Sequence, residues 1–247
     1  MAALAAQLPR PRAIVVVSAH WETAVPTIGI ADDLETIHDF WGFPAPLYDI
    51  RYPAHGSLAL AEEVRRALRQ GGFEPQLDSS RGLDHGAWIP LRLMFPQADV
   101  PVIPLSIQTG RGPDYHLRLG RALAPLLGQG ILVLASGNLT HSLMDYRTAT
   151  MRGTGSPAYV GEFAEWMWAC LADGDSEALV NYRTLAPSAV RAHPSEDHLL
   201  PLYVALGAAG PGYAAERLYS GIDDLVLAMD MYAFRPSGIP LSQEVKQ

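Results

Sequence analysis

Short apolar stretches without polar alternation constrain the fold of this chain more than any other feature. Three of them, at residues 13–17, 100–107 and 131–135, are bounded by proline or glycine. A strand with one face in water would alternate apolar and polar residues, so these stretches predict strands buried on both faces. The first and the third, AIVVVSAHW and ILVLASGNLTH, both run on into a histidine.

Helical patterns lie between these predicted strands. In residues 58–70, Leu60, Val64 and Leu68 recur at helical spacing, and residues 115–127 show the same pattern. We also predict helices at 159–172 and 198–208, and a late strand at 225–232. Buried strands that alternate with helices are typical of a parallel sheet. The sequence therefore predicts one α/β domain over residues 1–247, with a mostly parallel central sheet flanked by helices on both faces.

Composition excludes several classes of protein. A net charge of -8 argues against a nucleic-acid partner, because binding to phosphates needs a basic face. The single cysteine excludes an intramolecular disulfide and indicates a reducing compartment, so we expect a cytoplasmic protein. Residues 1–8 are too short for a secretion signal and are predicted to be helical. No apolar stretch is long enough to cross a membrane, so no membrane partner is expected.

Four histidines occupy positions that favour a functional site. His20 and His141 follow predicted strands, and ligands bind beyond the carboxyl ends of parallel strands. His198 is predicted in the first turn of a helix capped by Ser195. His85 stands beside a glycine, which lets the backbone approach a ligand closely. One such histidine alone is more often structural, but four together predict a binding or metal site.

The segment 37–57 is rich in aromatic residues, proline and glycine and has no clear period, so we predict an ordered loop that walls the site. Phe40 and Trp41, with Phe43 and Tyr48, are expected to stack against a flat ring. For His38, contact with a substrate and bracing of the loop remain equally open. Three further histidines are predicted to be surface or structural residues: His55, His116 and His193.

Five motifs together resemble one known family. They are SAHW at 18–21, TIHDFWGFP at 36–44, LDHGAW at 83–88, ASGNLTHSL at 135–143 and EDHLLPL at 196–202. In order and spacing they are similar to the class III extradiol ring-cleaving dioxygenases, in particular the 4,5-DOPA dioxygenase-like branch. The resemblance runs from about residue 8 to the late strand near residue 232. It implies a catalytic domain that opens the ring of a catechol-type, DOPA-like aromatic diol with O₂.

The resemblance also implies roles for individual residues. His20 and His198 would bind a non-haem iron(II), or zinc as in some members. His141 would lie beside the metal and move substrate protons, a role that suits an imidazole. His85 would either support the metal ligands from behind or contact the substrate, and it is the reserve for proton transfer. In the substrate pocket we expect His38, Phe40 and Trp41.

One family motif is missing from this sequence. The family's remaining ligand is a histidine in a His-Gly motif on an earlier strand, and the sequence does not contain it. We expect either an upstream segment that supplies the motif or a different way of binding metal. Without that strand, a core strand would have an exposed edge, so a homo-oligomer is a further expectation.

Alternatives to ring cleavage remain open at this point. In a zinc-dependent hydrolase, His20, His141 and His198 would all bind the metal and activate water. A non-catalytic binding protein would have kept the fold and lost the metal. Ser18 could act as a nucleophile with His20 as its base, but it has no glycine-flanked elbow.

Overall fold

The computed structural model describes residues 1–152 and 155–237. Within these ranges the strands are β1 (Ala13–Glu22), β2 (Thr27–Gly29), β3 (Gln76–Asp78), β4 (Val102–Ile107), β5 (Ile131–Ser136), β6 (Ala214–Tyr219), β7 (Ile222–Asp223), β8 (Leu227–Ala228) and β9 (Met231–Arg235). The helices are α1 (Ala2–Ala5), α2 (Leu58–Gln70), α3 (His85–Met94), α4 (Gly112–Leu127), α5 (Leu143–Arg152), α6 (Ala158–Asp173), α7 (Ser176–Val180), α8 (Tyr182–Leu185), α9 (Ala189–Ala192) and α10 (Leu200–Ala209).

The central sheet has five strands in the order β3-β2-β4-β1-β5. Strand β1 pairs in parallel with both β4 and β5, and β2 pairs in parallel with β3. The antiparallel contact joins β2 to β4 through Ile28 and Leu105. The predicted single-domain α/β fold with a mostly parallel sheet is confirmed, and the three apolar stretches form β1, β4 and β5.

Burial on both faces of β1 explains why its sequence does not alternate. Ala13, Val15 and Val17 face a cluster with α2, α4 and α10, whereas Ile14 and Val16 face a second cluster with α3. All five side chains are at most 2% exposed. Burying a valine or isoleucine contributes roughly 1.5–3 kcal/mol, so both faces of the strand stabilise the fold. A third cluster packs α6 to α9 against α10.

The helix predictions differ in their outcome. The helix at 58–70 is confirmed with the same bounds, and the Ser57 side chain caps it by accepting a hydrogen bond from the backbone N–H of Leu60. The helix predicted at 198–208 is confirmed as α10, but its predicted start under a Ser195 cap is wrong, because α10 begins at Leu200. A cap at Ser195 would place Pro201 beyond the first turn, where a proline ring clashes with the helix backbone. In the structure Pro201 lies in the first turn.

The late strand predicted at 225–232 is also wrong as one element. The segment contributes β8, which pairs with β7, and the start of β9, which pairs with β6. Asp224 and Leu225 both have positive φ angles, of 47° and 67°, and a strand cannot start with that backbone conformation.

The loop predicted at 37–57 is confirmed, with a short 3-10 helix at Ala45–Asp49. No helix in the described part of the chain is long and apolar enough to span a bilayer.

Candidate metal centre and active site

The four histidines of the predicted site form one cluster at the carboxyl ends of the central strands. The His20 ring centroid lies 4.2 Å from that of His85 and 5.0 Å from that of His198. His141 stacks on His198, with centroids 3.5 Å apart and planes inclined by 8°. His20 lies near the end of β1, His85 opens α3, His141 follows β5, and His198 lies in the turn before α10. Sequence reasoning therefore found the four side chains that the fold brings together.

A carboxylate in the long loop joins two of these rings. Asp39 Oδ2 lies 3.1 Å from Nδ1 of His20, and Asp39 Oδ1 lies 2.8 Å from Nδ1 of His85. Burial alone would raise the pKa of Asp39, but the hydrogen bonds from His20 and His85 hold it far below its ordinary value. Burial alone would lower the pKa of His20, yet the bond with Asp39 raises it overall. Sequence reasoning missed Asp39, although it lies inside the motif TIHDFWGFP.

His198 has a carboxylate partner of its own. Its Nδ1 is hydrogen-bonded to Oδ2 of Asp197. Burial raises the pKa of Asp197, but the bonds from His198 and Ser195 outweigh burial and lower it. Ser195, predicted to cap α10, thus forms a hydrogen bond with the side chain of Asp197 instead. Both proposed metal ligands have Nδ1 engaged by a carboxylate, which leaves Nε2 as the nitrogen that can bind a metal.

The surroundings of His141 favour its neutral form. Burial, followed by the neighbouring charge of His198, lowers the pKa of His141 to about 4. Its backbone N–H donates to the carbonyl of Ala192 at 2.8 Å, which fixes the segment after β5. At neutral pH the ring therefore has a nitrogen lone pair that can accept a proton or bind a metal.

Close backbone contacts hold His198 against the end of β5. The N–H of Asn138 donates to the carbonyl oxygen of His198 at 3.0 Å. A Cβ atom on the preceding residue, Gly137, would lie 2.1 Å from that same oxygen. Only glycine allows the two backbones to approach this closely, which explains the glycine in ASGNLTHSL.

Ser18 fixes His20 and is not placed as a nucleophile. The Ser18 hydroxyl donates to Asp84 at 2.6 Å and accepts the backbone N–H of His20 at 3.2 Å. Asp84 also caps α3 by accepting a hydrogen bond from the backbone N–H of Ala87. The Ser18 side chain is buried and engaged in a structural link between β1 and α3, so the structure does not favour the nucleophile alternative.

The aromatic loop approaches the cluster through one ring. The Phe40 ring centroid lies 5.6 Å from that of His85, and Phe43 and Tyr48 pack around Phe40. Trp41, predicted to contact substrate, is 84% exposed.

His38 braces the loop. Its Nε2 donates to the carbonyl of Ile50 at 3.0 Å, and its ring packs against Trp88 with centroids 5.7 Å apart. Of the two roles left open for His38, the geometry favours bracing.

The remaining histidines are engaged elsewhere. His116 and His193 are fully buried. His116 Nε2 accepts the backbone N–H of Gln108 at 3.1 Å, and His193 Nε2 donates to the carbonyl of Leu139 at 2.8 Å. His55 forms a β-bridge with Asp33. His116 and His193 are therefore structural residues and His55 is an exposed surface residue, which agrees with the prediction that all three are surface or structural.

The fold and the cluster are those of an α/β protein with a candidate metal centre, in which histidines have carboxylate partners. Comparison with known proteins gives the family. The model of the catalytic LigB subunit of aromatic ring-opening dioxygenase matches residues 1–222, and the chain belongs to this family. Enzymes of this family depend on a metal.

Individual relatives agree with the family match. The chain is 41% identical over 226 residues to a 4,5-DOPA dioxygenase extradiol of Beta vulgaris, covering 91% of this chain and 83% of the relative. It is also 41% identical over 206 residues to a protein of the same name from Escherichia coli K12, covering 81% and 74%. The crystal structure of uncharacterized protein JW3007 from Escherichia coli K12 superimposes with a TM-score of 0.79 at 34% identity, covering 94% of this chain and 89% of that one.

Proposed function

We propose that residues 1–247 form one catalytic domain that uses O₂ to open the ring of a catechol-type, DOPA-like substrate beside its diol. The names of the relatives and the family match support this reaction class. The structural observation that supports it most is the cluster of four imidazoles, three of which have Nδ1 bound to a carboxylate, which leaves Nε2 to bind a metal or move a proton.

His20 and His198 are the residues that would hold the metal. Two nitrogen donors with carboxylate partners fit a divalent transition metal, and their side chains are only 28% and 11% exposed. Iron(II) is the proposed ion, because when bound it supplies the redox activity toward O₂ that zinc lacks.

The other residues would bind the substrate and move protons. His141, unprotonated at neutral pH, would accept a proton from a diol hydroxyl and return it later. His85 has Nδ1 held by Asp39, so its Nε2 is the reserve donor or acceptor. Phe40 would pack against the flat ring of the substrate. Both oxygen atoms of O₂ end in the ring-opened product, so the reaction needs no external reductant.

Two alternatives lose support from the comparisons. A zinc hydrolase would need His141 as a ligand beside His20 and His198, and a non-catalytic binding protein would need no metal. The relatives are named for dioxygenase activity, which favours ring opening over both.

Reconstitution of the purified chain tests the proposal. Metal is removed with a chelator, and iron(II) or zinc is added back without oxygen. We expect catechol-dependent O₂ uptake with iron only, one O₂ per catechol opened, and a coloured ring-opened product. Resorcinol is the matched control, because its two hydroxyls are not adjacent. Stoichiometric zinc with hydrolysis and no O₂ uptake would favour the hydrolase, and absence of metal binding would favour the binding protein.

A further inference from the structure

We infer that Asp39 is a positioning residue that fixes both His20 and His85 in the tautomer with Nε2 free to face the site. The inference rests on the proposed metal site, because it assigns how one proposed ligand is oriented. It adds a residue to which the sequence motifs give no role.

The geometry of Asp39 supports two simultaneous contacts. Oδ2 lies 3.1 Å from Nδ1 of His20, and Oδ1 lies 2.8 Å from Nδ1 of His85. Oδ1 also accepts the backbone N–H of His85 at 2.9 Å. One carboxylate therefore holds the two rings, whose centroids are 4.2 Å apart, and the first residue of α3.

The neighbouring carboxylate cannot replace Asp39. Asp84 precedes His85 in the chain, but its oxygens are occupied by the Ser18 hydroxyl, the backbone N–H of Ala87 and the Arg81 guanidinium. Asp84 is also 2% exposed and points into the β1–α3 link.

The acceptor-only character of a carboxylate decides the tautomer. A neutral imidazole has one ring proton, and an ionised carboxylate at Nδ1 favours the form with that proton on Nδ1. The lone pair is then on Nε2 in both rings. In His20 that nitrogen is the proposed metal ligand, and in His85 it is the reserve for proton transfer. Asp197 does the same for His198 alone.

The same contacts place the aromatic loop. Asp39 directly precedes Phe40, whose ring centroid lies 5.6 Å from that of His85. Because Asp39 is hydrogen-bonded to the backbone and the ring of His85, the first part of the loop is held beside the histidine cluster. The metal ligand and the proposed wall of the substrate pocket thus share one anchor.

Asp39→Asn is the variant that tests the inference. Asparagine keeps the shape but has only one acceptor oxygen, and its NH₂ group donates, so it cannot accept Nδ1–H from both rings. In the metal-free variant we expect one of the two rings to change tautomer, measured by ¹⁵N NMR at about pH 9, where imidazoles are neutral. Zinc affinity, measured by chelator competition, should fall by roughly 10- to 100-fold. Asp49→Asn removes the same charge from an exposed position in the same loop and should change neither quantity.

The parent protein gives an independent test that needs no aspartate variant. Its metal-free spectrum, assigned with His20→Gln and His85→Gln, should show both rings protonated at Nδ1. An Nε2-protonated ring in the parent, or unchanged zinc affinity in a folded Asp39→Asn, would overturn the inference. Failure of the proposed function would give a different result, because the parent protein itself would bind no metal. The tautomers of His20 and His85, measured by NMR, would still test the role of Asp39 in that case.

Discussion

Gly137→Ala tests whether the backbone contact between β5 and His198 positions the proposed metal ligand. The added Cβ would lie 2.1 Å from the carbonyl oxygen of His198, whereas real Cβ atoms essentially never come closer than 3.0 Å. The two backbones must therefore separate by roughly 1 Å, since neither contact atom is a flexible side-chain end.

This displacement has two expected consequences. It strains or breaks the hydrogen bond from the N–H of Asn138 to the carbonyl of His198, which costs about 1 kcal/mol of stability. It also moves the His198 imidazole relative to His20. A displacement of about 1 Å at a reacting centre can lower the rate by ~10²-fold, so kcat/KM for catechol-dependent O₂ uptake should fall by about that factor.

The assay compares Gly137→Ala with Gly161→Ala. Gly161 lies inside α6, and a Cβ there would meet no atom within 4 Å. That control should keep full activity and gain roughly 0.5–1 kcal/mol of stability, because alanine favours a helix. The measurements are O₂ uptake, metal affinity and urea unfolding. If Gly137→Ala keeps the metal affinity and the kcat/KM of the parent, the contact does not position His198.

Two other predictions concern histidines. His20→Ala should lose the metal, whereas His141→Ala should keep it and lose ~10²- to 10⁴-fold in rate, measured as bound iron and O₂ uptake; equal metal loss would make His141 a ligand. His193 is buried with its pKa lowered to about 4 from an ordinary 6.5, so the unfolded chain binds its proton first, and stability should decrease by roughly 3 kcal/mol as pH falls through that window. Urea unfolding at several pH values should show a weaker decrease in His193→Gln, and equal pH slopes would contradict the assignment.

The sheet could be predicted from sequence because its signal is local. Residues 13–17 and 131–135 are apolar at every position, and only burial on both faces makes that pattern stable. The helix at 58–70 combines a polar cap at Ser57 with an amphipathic period, so both ends could be placed. The elements after residue 195 were predicted less well. The apolar pattern there does not show that Pro201 sets the start of α10, nor that the positive φ angle of Leu225 interrupts the predicted strand.

The site could be predicted in part for a similar reason. Histidines that follow strands meet at one edge of a parallel sheet, which places His20 and His141 from sequence alone. Asp39 could not be placed in this way, because it lies in a loop without periodicity and its partners are set by tertiary packing. The exposure of Trp41 could not be predicted from sequence either, because an aromatic residue in a loop can point toward or away from a cleft.

Because His198 lies outside α10, it can contact the end of β5 and also the other polar side chains of the site. Inside a helix its carbonyl oxygen would accept a backbone N–H four residues later, and it would be lost to the end of β5. In the turn before Leu200, the same oxygen accepts the N–H of Asn138, and the ring reaches both Asp197 and the stacked His141. Pro201 enforces this arrangement, because it confines the helix start to the residues just before it.

A Pro201→Ala variant should therefore allow α10 to extend toward His198, which would weaken the contact with Asn138. Metal affinity should then fall, although no ligand is changed. Unchanged metal affinity, with amide hydrogen exchange at Asn138 as slow as in the parent, would show that the turn is stable without the proline.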